Sequence, residues 1–492
     1  MLSAHRLPVL SCAESAALEA AYLKQNPGSD WSLMKRAAEE LAFESLIFLN
    51  RTPEKILVLV GSGNNGADAL LAAVLTSGTK TKITAVFTSK TPSTPLAKKV
   101  WSLTRKKITK ISPLKLSSLN KINYCLIFDG LLGQGFRTPL RPEMKKIILA
   151  SHSLKGLRIA VDLPSGVGDD SKGPAFKADL TISIGCLKRP LLESKNSRHV
   201  GRIRVVDIGL PFGVGVDTCS TLSALDPIKK PRRANTEKRQ QGRILIVGGS
   251  QSMPGAVIMN TAAALQAGGG LVTTCLPQSI RARAAVAYPE AMWNGLTTNS
   301  SGVISSPKNL SKVLKNKDVM LIGSGMGEKS SVTIKKFIKN FGGDIILDAD
   351  ALRPDVVKNI STKNNYVLLP HAGEFLRLSG KKISAETGRA FARKTKTVVV
   401  LKGPMTMITD GTHLIYVPFG GPILARGGSG DCLAGMIAAV VARRRTLKLS
   451  LLDAVECGVV WHARAADLLR QDEGEEAVRT TQILSELSKA LK

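Results

Sequence analysis

The chain has 492 residues, 43% of them hydrophobic and 4% aromatic, and its 69 Lys+Arg against 38 Asp+Glu give a formal net charge of +31. The length exceeds one ordinary domain and predicts two of roughly 200 to 270 residues. So few aromatics argue against base-stacking surfaces for single-stranded nucleic acid. The charge is spread along the chain, so it reads first as a soluble basic surface, next as attraction of a polyanionic small ligand, and only third as nucleic-acid binding.

Seven scattered cysteines without a C-x-x-C pattern indicate a reducing compartment, with neither a disulfide frame nor a zinc site. The start is polar, with Glu14 and Glu19, and no apolar run approaches the roughly 20 residues of a membrane helix. A cytoplasmic protein without a membrane or nucleic-acid partner is expected.

In chain order, residues 12–23 and 31–49 predict helices; in the second, Leu33, Met34, Ala37, Leu41 and Phe43 recur at helical spacing, a face expected in the core. Lys55–Val60 (KILVLV) predicts a strand buried on both faces. Gly61-x-Gly63-x-x-Gly66 follows, with a helix expected over Ala69–Thr76. The spacing matches a dinucleotide-binding turn. However, the next strand, Lys82–Phe87, ends in Thr88-Ser89-Lys90 without the acid that would bind a ribose hydroxyl. The loop also carries Asn64, Asn65 and Asp68, oxygen donors that suit a hard cation or a sugar. Strands at Tyr124–Phe128 and Leu157–Val161 lead into Asp129-Gly130 and Asp162-Leu163-Pro164-Ser165-Gly166. Three strand ends delivering polar groups to one sheet edge point to a site. Strands over 178–185 and 202–207 close this half, and the basic, proline-containing stretch 217–241 marks the passage to a second domain.

The second half repeats the pattern of strand, glycine or acid turn, and helix, a second doubly wound α/β layer. Its strands are predicted at Arg243–Val247, Leu271–Cys275, Met320–Ile322, Asp344–Asp348, Tyr366–Leu369 and Val398–Leu401. Gly327-Glu328-Lys329-Ser330 nearly spells a P-loop, but Glu328 stands where glycine is needed. Pro370-His371-Ala372-Gly373-Glu374 makes His371 a ligand contact or a satisfied structural histidine. Lys402-Gly403 with Thr406 suits phosphate. Gly427-Gly428-Ser429-Gly430-Asp431 opens an apolar helix, and its exposed N–H groups suit a phosphate. Asp431 itself reads as an N-cap or as a base for a hydroxyl attacking that phosphate.

Together these motifs resemble two known families. Gly61–Asp68, Asp129–Gly135 and Asp162-x-Pro164-Ser165-Gly166 are similar to NAD(P)H-hydrate epimerases. Gly248-Gly249-Ser250, Pro370–Glu374, Lys402-Gly403 and Gly428–Asp431 are similar to the ribokinase-like NAD(P)H-hydrate dehydratases. In this order they resemble the fused, bifunctional repair family. The resemblance implies two three-layer α/β/α domains, a Rossmann-like epimerase over 1–216 and a ribokinase-like dehydratase over 226–492, joined by a linker at 217–225. Its implied substrates are NADHX and NADPHX, its cofactors potassium, magnesium and ADP (or ATP) as phosphoryl donor, and its state a homo-oligomer.

By the same resemblance Asn65, Asp129 and Ser165 hold potassium. Asn64, Asn65, Gly66, Ala67, Asp68, the run Gly133, Gln134, Gly135, Phe136, Arg137, Thr138, Pro139, and Asp162 contact the hydrate, with Asp162 as acid/base. In the second domain Ala256, Gly325, His371 and Asp431 contact the hydrate, with Asp431 as base. Lys402, Gly403, Pro404, Met405, Thr406, Gly428, Ser429 and Gly430 bind the nucleotide. The sequence departs from the family at Ala67 and Ala69, where glycines are usual, and Ala67 is strained if its φ is positive. Glu237 stands where histidine is common, and Ala372 replaces a proline. The alternative is a ribokinase-like vitamin-precursor kinase fused to a Rossmann binding module.

Overall fold

A computed structural model describes residues 6–89, 92–211, 213, 215–300, 302–305, 309–361 and 363–492; Lys90 lies outside them. The chain divides into two compact units, residues 7–215 and 216–492.

The strands of the N-terminal unit are β1 (Arg6–Leu10), β2 (Lys55–Val60), β3 (Lys82–Phe87), β4 (Ile108–Ile111), β5 (Asn123–Gly130), β6 (Lys155–Val161), β7 (Leu180–Ile184), β8 (Leu187–Lys188) and β9 (Arg202–Val206). A parallel sheet runs in the order β4-β3-β2-β5-β6-β7-β9. Successive side chains of β2 point to opposite faces, so Ile56, Val58 and Val60 enter one core while Leu57 and Leu59 enter another. Helices Asp30–Leu49 and Asn64–Thr76 cover the first face, and helix Pro142–Ser151 the second. Each fully buried aliphatic side chain contributes about 1.5–3 kcal/mol of transfer free energy, which is why KILVLV forms a central strand. The strand order reverses between β2 and β5, opening a crevice at their C-terminal ends. β1 and β8 also pair in parallel, with Leu10 opposite Lys188.

The C-terminal unit contributes β10 (Asp217–Ser220), β11 (Arg243–Val247), β12 (Leu271–Pro277), β13 (Met292–Leu296), β14 (Val319–Ile322), β15 (Asp344–Leu347), β16 (Tyr366–Leu368), β17 (Val398–Leu401), β18 (Thr406–Thr409) and β19 (Leu414–Val417). They run in the order β13-β12-β11-β14-β15-β16-β17-β18-β19-β10. Pairing is parallel except at β17–β18 and β18–β19. Ile244 and Ile246 face the core beneath helices Pro254–Gln266, Ser429–Arg443 and Leu451–Glu473, whereas Leu245 and Val247 face the core shared with Phe337, Phe375 and Phe391. The order reverses here between β11 and β14.

Four expectations are corrected. Phe43, expected in the core, is 56% exposed, because it lies two residues beyond Leu41 and so falls off the buried face of helix Asp30–Leu49. The N-terminal helix begins at Asn64, not Ala69, because Gly63 caps it and the polar residues Asn64, Asn65 and Asp68 occupy its first turns. Ala67 is therefore helical and buried, without a positive φ, and the strain expected there does not arise. The segment 217–225, expected as a linker, contains regular structure. Its first four residues form β10, which pairs in parallel with β19 and buries Cys219. A four-residue polar strand carries too short a pattern to stand out in sequence.

Candidate active sites

In the N-terminal unit, β2, β5 and β6 deliver their ends to the switch crevice. A Cβ at Gly61 would overlap the Leu131 carbonyl oxygen, and one at Gly66 would overlap that of Gly61, so helix and strand approach closely only with glycine there. Asp129, at the end of β5, is fully buried. Its Oδ2 accepts from the Ser165 N–H at 2.7 Å and its Oδ1 from the Ser165 hydroxyl at 2.6 Å. Ser165 Oγ in turn accepts from Leu132 N–H at 2.9 Å, and Asn65 Nδ2 donates to the Leu132 carbonyl at 2.9 Å. Burial pushes the Asp129 carboxyl up to about 6, against the pull of its Ser165 and Leu131 hydrogen bonds. Among the described residues it has no cationic partner. Carboxylate, hydroxyl and amide oxygens around an uncompensated buried acid are a hard-cation donor set, so Asn65, Asp129 and Ser165 fit a potassium ion.

Asp162 lies three residues before Ser165, at φ 67°. A non-glycine residue in that region stores about 1–3 kcal/mol of strain and persists where the surroundings hold it. Lys188 Nζ donates to Asp162 Oδ1 at 2.5 Å and to the Ile184 carbonyl at 2.5 Å, and the Ile184 N–H donates to the same Oδ1 at 3.0 Å. The Lys188 ammonium is 1% exposed. Burial opposes its charge, but Asp162 more than compensates and its pKa is raised. Burial also raises Asp68, which the charges of Asp162 and Glu19 push further, and raises Glu19 in the same way. Gln134 of the loop after β5 donates to Glu19 at 2.8 Å. In the same loop Gly133 sits against the Asn65 side chain, Phe136 lies beside Gly168, and Gly135, Arg137 and Pro139 are exposed. Sequence reasoning missed Lys188 and Glu19. The available signal for Lys188 was weak: a basic pair, Lys188-Arg189, between Leu187 and Pro190-Leu191-Leu192 just after a strand.

In the C-terminal unit, a cavity of about 390 Å³ is lined by residues that include Ala256, Gly325, His371 and Asp431, with Asp350, Arg353 and Glu374 beside them. The four residues expected to contact the hydrate thus share one cavity, assembled from the ends of β11, β14, β15 and β16. His371 is a structural cap that also lines the cavity. Its Nδ1 accepts from the N–H groups of Gly373 (3.0 Å) and Glu374 (3.3 Å), capping helix Ala372–Ser379, while its exposed edge faces the cavity.

Helix Ser429–Arg443 starts from Gly428 at φ 85°, and no side chain caps it. Asp431 is therefore free of capping. Burial and the negative charge of Asp348 push it up to about 6, while Ser324 and Lys402 pull it down. Asn260 Nδ2 holds its backbone carbonyl at 2.8 Å. Lys402 donates to Asp348 at 2.9 Å. Its pKa is raised, because Asp348, Glu374 and Asp431 outweigh its burial. A Cβ at Gly430 would stand 3.4 Å from Lys402 Nζ, so the ammonium lies beside the helix N-terminus. Backbone N–H groups and a lysine converging on one point form a cradle for phosphate. Gly403 and Pro404 beyond it are exposed, and Met405 and Thr406 are partly buried. Among the described residues no group of three or more His, Cys, Asp or Glu could hold a metal ion. Magnesium has no protein cage here, and its expected place is with nucleotide phosphates.

The family described as NAD(P)H-hydrate dehydratase matches residues 244–489, and that described as YjeF-related protein N-terminus matches residues 31–190. A bifunctional NAD(P)H-hydrate repair enzyme of Coxiella burnetii is 31% identical over 477 residues, covering 93% of this chain and 94% of that one. Its counterpart in Escherichia coli K12 is 31% identical over 479 residues, with 93% and 89% covered. The chain belongs to the bifunctional NAD(P)H-hydrate repair enzyme family. A crystal structure of a ribokinase-like superfamily protein from Enterococcus faecalis V583 matches at a TM-score of 0.50 and 24% identity, covering 57% of this chain and 97% of that one, a likeness of fold. In this member of the repair family both sites fall inside the matched ranges, while Glu19, which meets Gln134, precedes the first of them.

Proposed function

We propose that the protein restores hydrated NADH and NADPH, exchanging the R and S epimers in its N-terminal unit and dehydrating the S epimer in its C-terminal unit with ADP as phosphoryl donor. The observation that carries the reading is Asp431: a partly buried carboxyl, free of capping, beside the cavity and the glycine cradle, pushed up to about 6. A general base is most effective with a pKa near the working pH. Asp431 takes the proton of the C6 hydroxyl as its oxygen attacks the β-phosphoryl group. A new O–P bond forms, the bond to AMP breaks, and AMP leaves. The N–H groups of Gly428 to Gly430 and the Lys402 ammonium stabilise charge on the transferred group. The C6–O bond then breaks, a ring proton leaves C5, and phosphate departs, regenerating the C5=C6 double bond. Ala256, Gly325 and His371 line the hydrate's place, and Lys402 to Thr406 the nucleotide's.

In the N-terminal unit, Asp162 moves a proton at the C6 oxygen while the configuration at C6 is exchanged. Asn64 to Asp68 and Gly133 to Pro139 form the walls around the hydrate. Potassium at Asn65, Asp129 and Ser165, when bound, supplies the positive charge that the buried Asp129 lacks. Incubation of the protein with a mixture of hydrated NADPH epimers and ADP or ATP tests the reading. Nicotinamide absorbance is expected to return completely with one of the nucleotides. A stable phosphorylated product without recovered absorbance would indicate a vitamin-precursor kinase instead, and recovery of only one epimer would remove the epimerase role.

A further inference from the structure

The epimerase site contains more acid than its chemistry needs. Glu19 on helix Cys12–Gln25, Asp68 on helix Asn64–Thr76 and Asp162 after β6 act on one another electrostatically, and Cys12 and Cys186 feel the same Asp162 charge. One cation, Lys188 on β8, lies among them, and its ammonium is committed geometrically. It bonds Asp162 and the Ile184 carbonyl, each at 2.5 Å. Both contacts to Asp162, from Lys188 and from the Ile184 N–H, fall on Oδ1. Among the described residues Oδ2 makes no hydrogen bond. The lysine itself is held from behind, because β8 pairs in register with β1, Leu10 opposite Lys188. Asp162 sits at positive φ, a backbone state that needs outside support.

We propose that Lys188 is a positioning residue for epimerisation: by fixing Asp162 through Oδ1 it orients that carboxylate and presents Oδ2 to the C6 oxygen of the hydrate. The proposal rests on the reading of Asp162 as the acid/base group. An ammonium in contact with one oxygen favours the ionised carboxylate and leaves a single oxygen with a defined direction, a preorganised arrangement. Without it, Asp162, Asp68 and Glu19 face one another with no ammonium among them, and Asp162 loses the contact that directs Oδ2.

The test uses the full chain and R-NADHX as substrate, reading conversion to the S epimer by chromatography without nucleotide, across pH 5 to 9. Lys188→Met is expected to lower kcat for epimerisation about 100-fold with KM within about threefold, and to move the acid limb of kcat to higher pH. Lys188→Arg keeps the charge and is expected to recover about a tenth of the wild-type kcat with the acid limb in place. ADP-dependent recovery of S-NADHX serves as the folding control for the chain, and circular dichroism melting for the N-terminal unit. If Lys188→Met loses the fold of that unit, Lys188→Arg decides alone: an unshifted acid limb supports the role, and a shifted one overturns it. Retention of kcat within about threefold in Lys188→Met, or a loss of kcat with an unshifted pH profile, overturns the proposal. Asp162→Asn separates the two readings. If it remains active, the acid/base assignment fails; if it is inactive while Lys188→Met works normally, only the role of Lys188 fails. In the double variant the loss is expected to equal that of Asp162→Asn, since the lysine acts through the aspartate.

Discussion

Lys402 and Asp348 form a buried ion pair, Nζ to Oδ1 at 2.9 Å, and both charges act on Asp431 in opposite senses. The pair solves a local problem. Phosphate transfer needs a cation at the helix N-terminus, yet a bare ammonium there would depress the neighbouring carboxyl and weaken it as a base. Asp348, only 2% exposed, offsets that effect, and burial does the rest. The unit therefore holds, beside the start of helix Ser429–Arg443, the lysine proposed to bind phosphate and the carboxyl proposed as base, the latter at about 6.

Asp431→Asn is expected to lower nucleotide-dependent recovery of the S hydrate about 10³-fold, with nucleotide affinity little changed by isothermal titration. In the wild type the base works only when ionised, so kcat is expected to fall as pH drops through about 6. Stability should move the other way. The folded-state pKa is raised above the unfolded value of 3.8, so the folded chain binds this proton more tightly, and stability declines as pH rises between about 4 and 6. At pH 7 the ionised group opposes folding by about 1 kcal/mol after solvent screening. Removing it should raise Tm of the C-terminal unit by about 2–4 °C while abolishing turnover. Scanning calorimetry on both chains at pH 7 checks this; a lowered Tm would mean that Asp431 is structural.

Opposite movements of the acid limb are expected on dismantling the ion pair. Asp348→Asn removes the charge that pushes Asp431 up, so the limb of kcat at saturating nucleotide should move below pH 6. Lys402→Met removes a charge that pulls it down, so the limb should move above 6. Each variant also strands a buried charge, which costs about 3–5 kcal/mol, and urea unfolding should report that loss in both. Movement in the same direction would refute the arrangement.

Much of this was legible in sequence, for identifiable reasons. β2 and β11 are short apolar runs ending in glycines, and a run buried on both faces needs no partner information to be recognised. Their turns place Asn65 and Ala256 at the sheet edge. Asp129, Asp162 and Lys402 were found because each directly follows an apolar strand. Lys188, Glu19 and Asp348 acquire meaning only through partners 26, 115 and 54 residues away. No local pattern announces such pairing. The same holds for β10, four residues that become a strand only because β19 lies beside them. The helix start at Asn64 was obscured by composition: two asparagines and a glycine read as loop, yet in the first turn Asn64 Oδ1 accepts from the Thr94 hydroxyl and Asn65 Nδ2 donates to the Leu132 carbonyl, partners far off in sequence.

Ser165→Ala should separate the two activities. The hydroxyl donates to Asp129 at 2.6 Å and accepts from Leu132 at 2.9 Å, so its loss leaves two buried groups under-satisfied, at about 1–3 kcal/mol. It also removes one oxygen from the proposed cation site. Epimerisation by the wild type is expected to be faster in potassium than in sodium at equal ionic strength. In Ser165→Ala that difference should shrink severalfold, with ADP-dependent dehydration of the S epimer unchanged. Equal rates in both salts for the wild type would remove potassium from the account.

Gly428 offers the sharpest test of the phosphate cradle. Its φ of 85° belongs to the left-handed region, and a Cβ there would lie 2.5 Å from Met259 Sδ. Gly428→Ala therefore carries about 1–2 kcal/mol of backbone strain and also pushes aside the flexible end of the Met259 side chain. Relieving the strain turns the N-terminus of helix Ser429–Arg443 and misaims the N–H groups proposed to hold the transferred phosphoryl group. KM for ADP is expected to rise at least about tenfold and kcat to fall about 10²-fold, the scale of losing one oxyanion donor. Gly427 supplies the comparison. A Cβ there meets nothing within 4 Å, and its φ is not positive, so Gly427→Ala should change both constants by no more than about threefold, near the limit expected of an unstrained surface change. Equal effects of the two substitutions, measured by initial-rate kinetics on the S hydrate, would show that the cradle geometry at Gly428 is not what binds the phosphate.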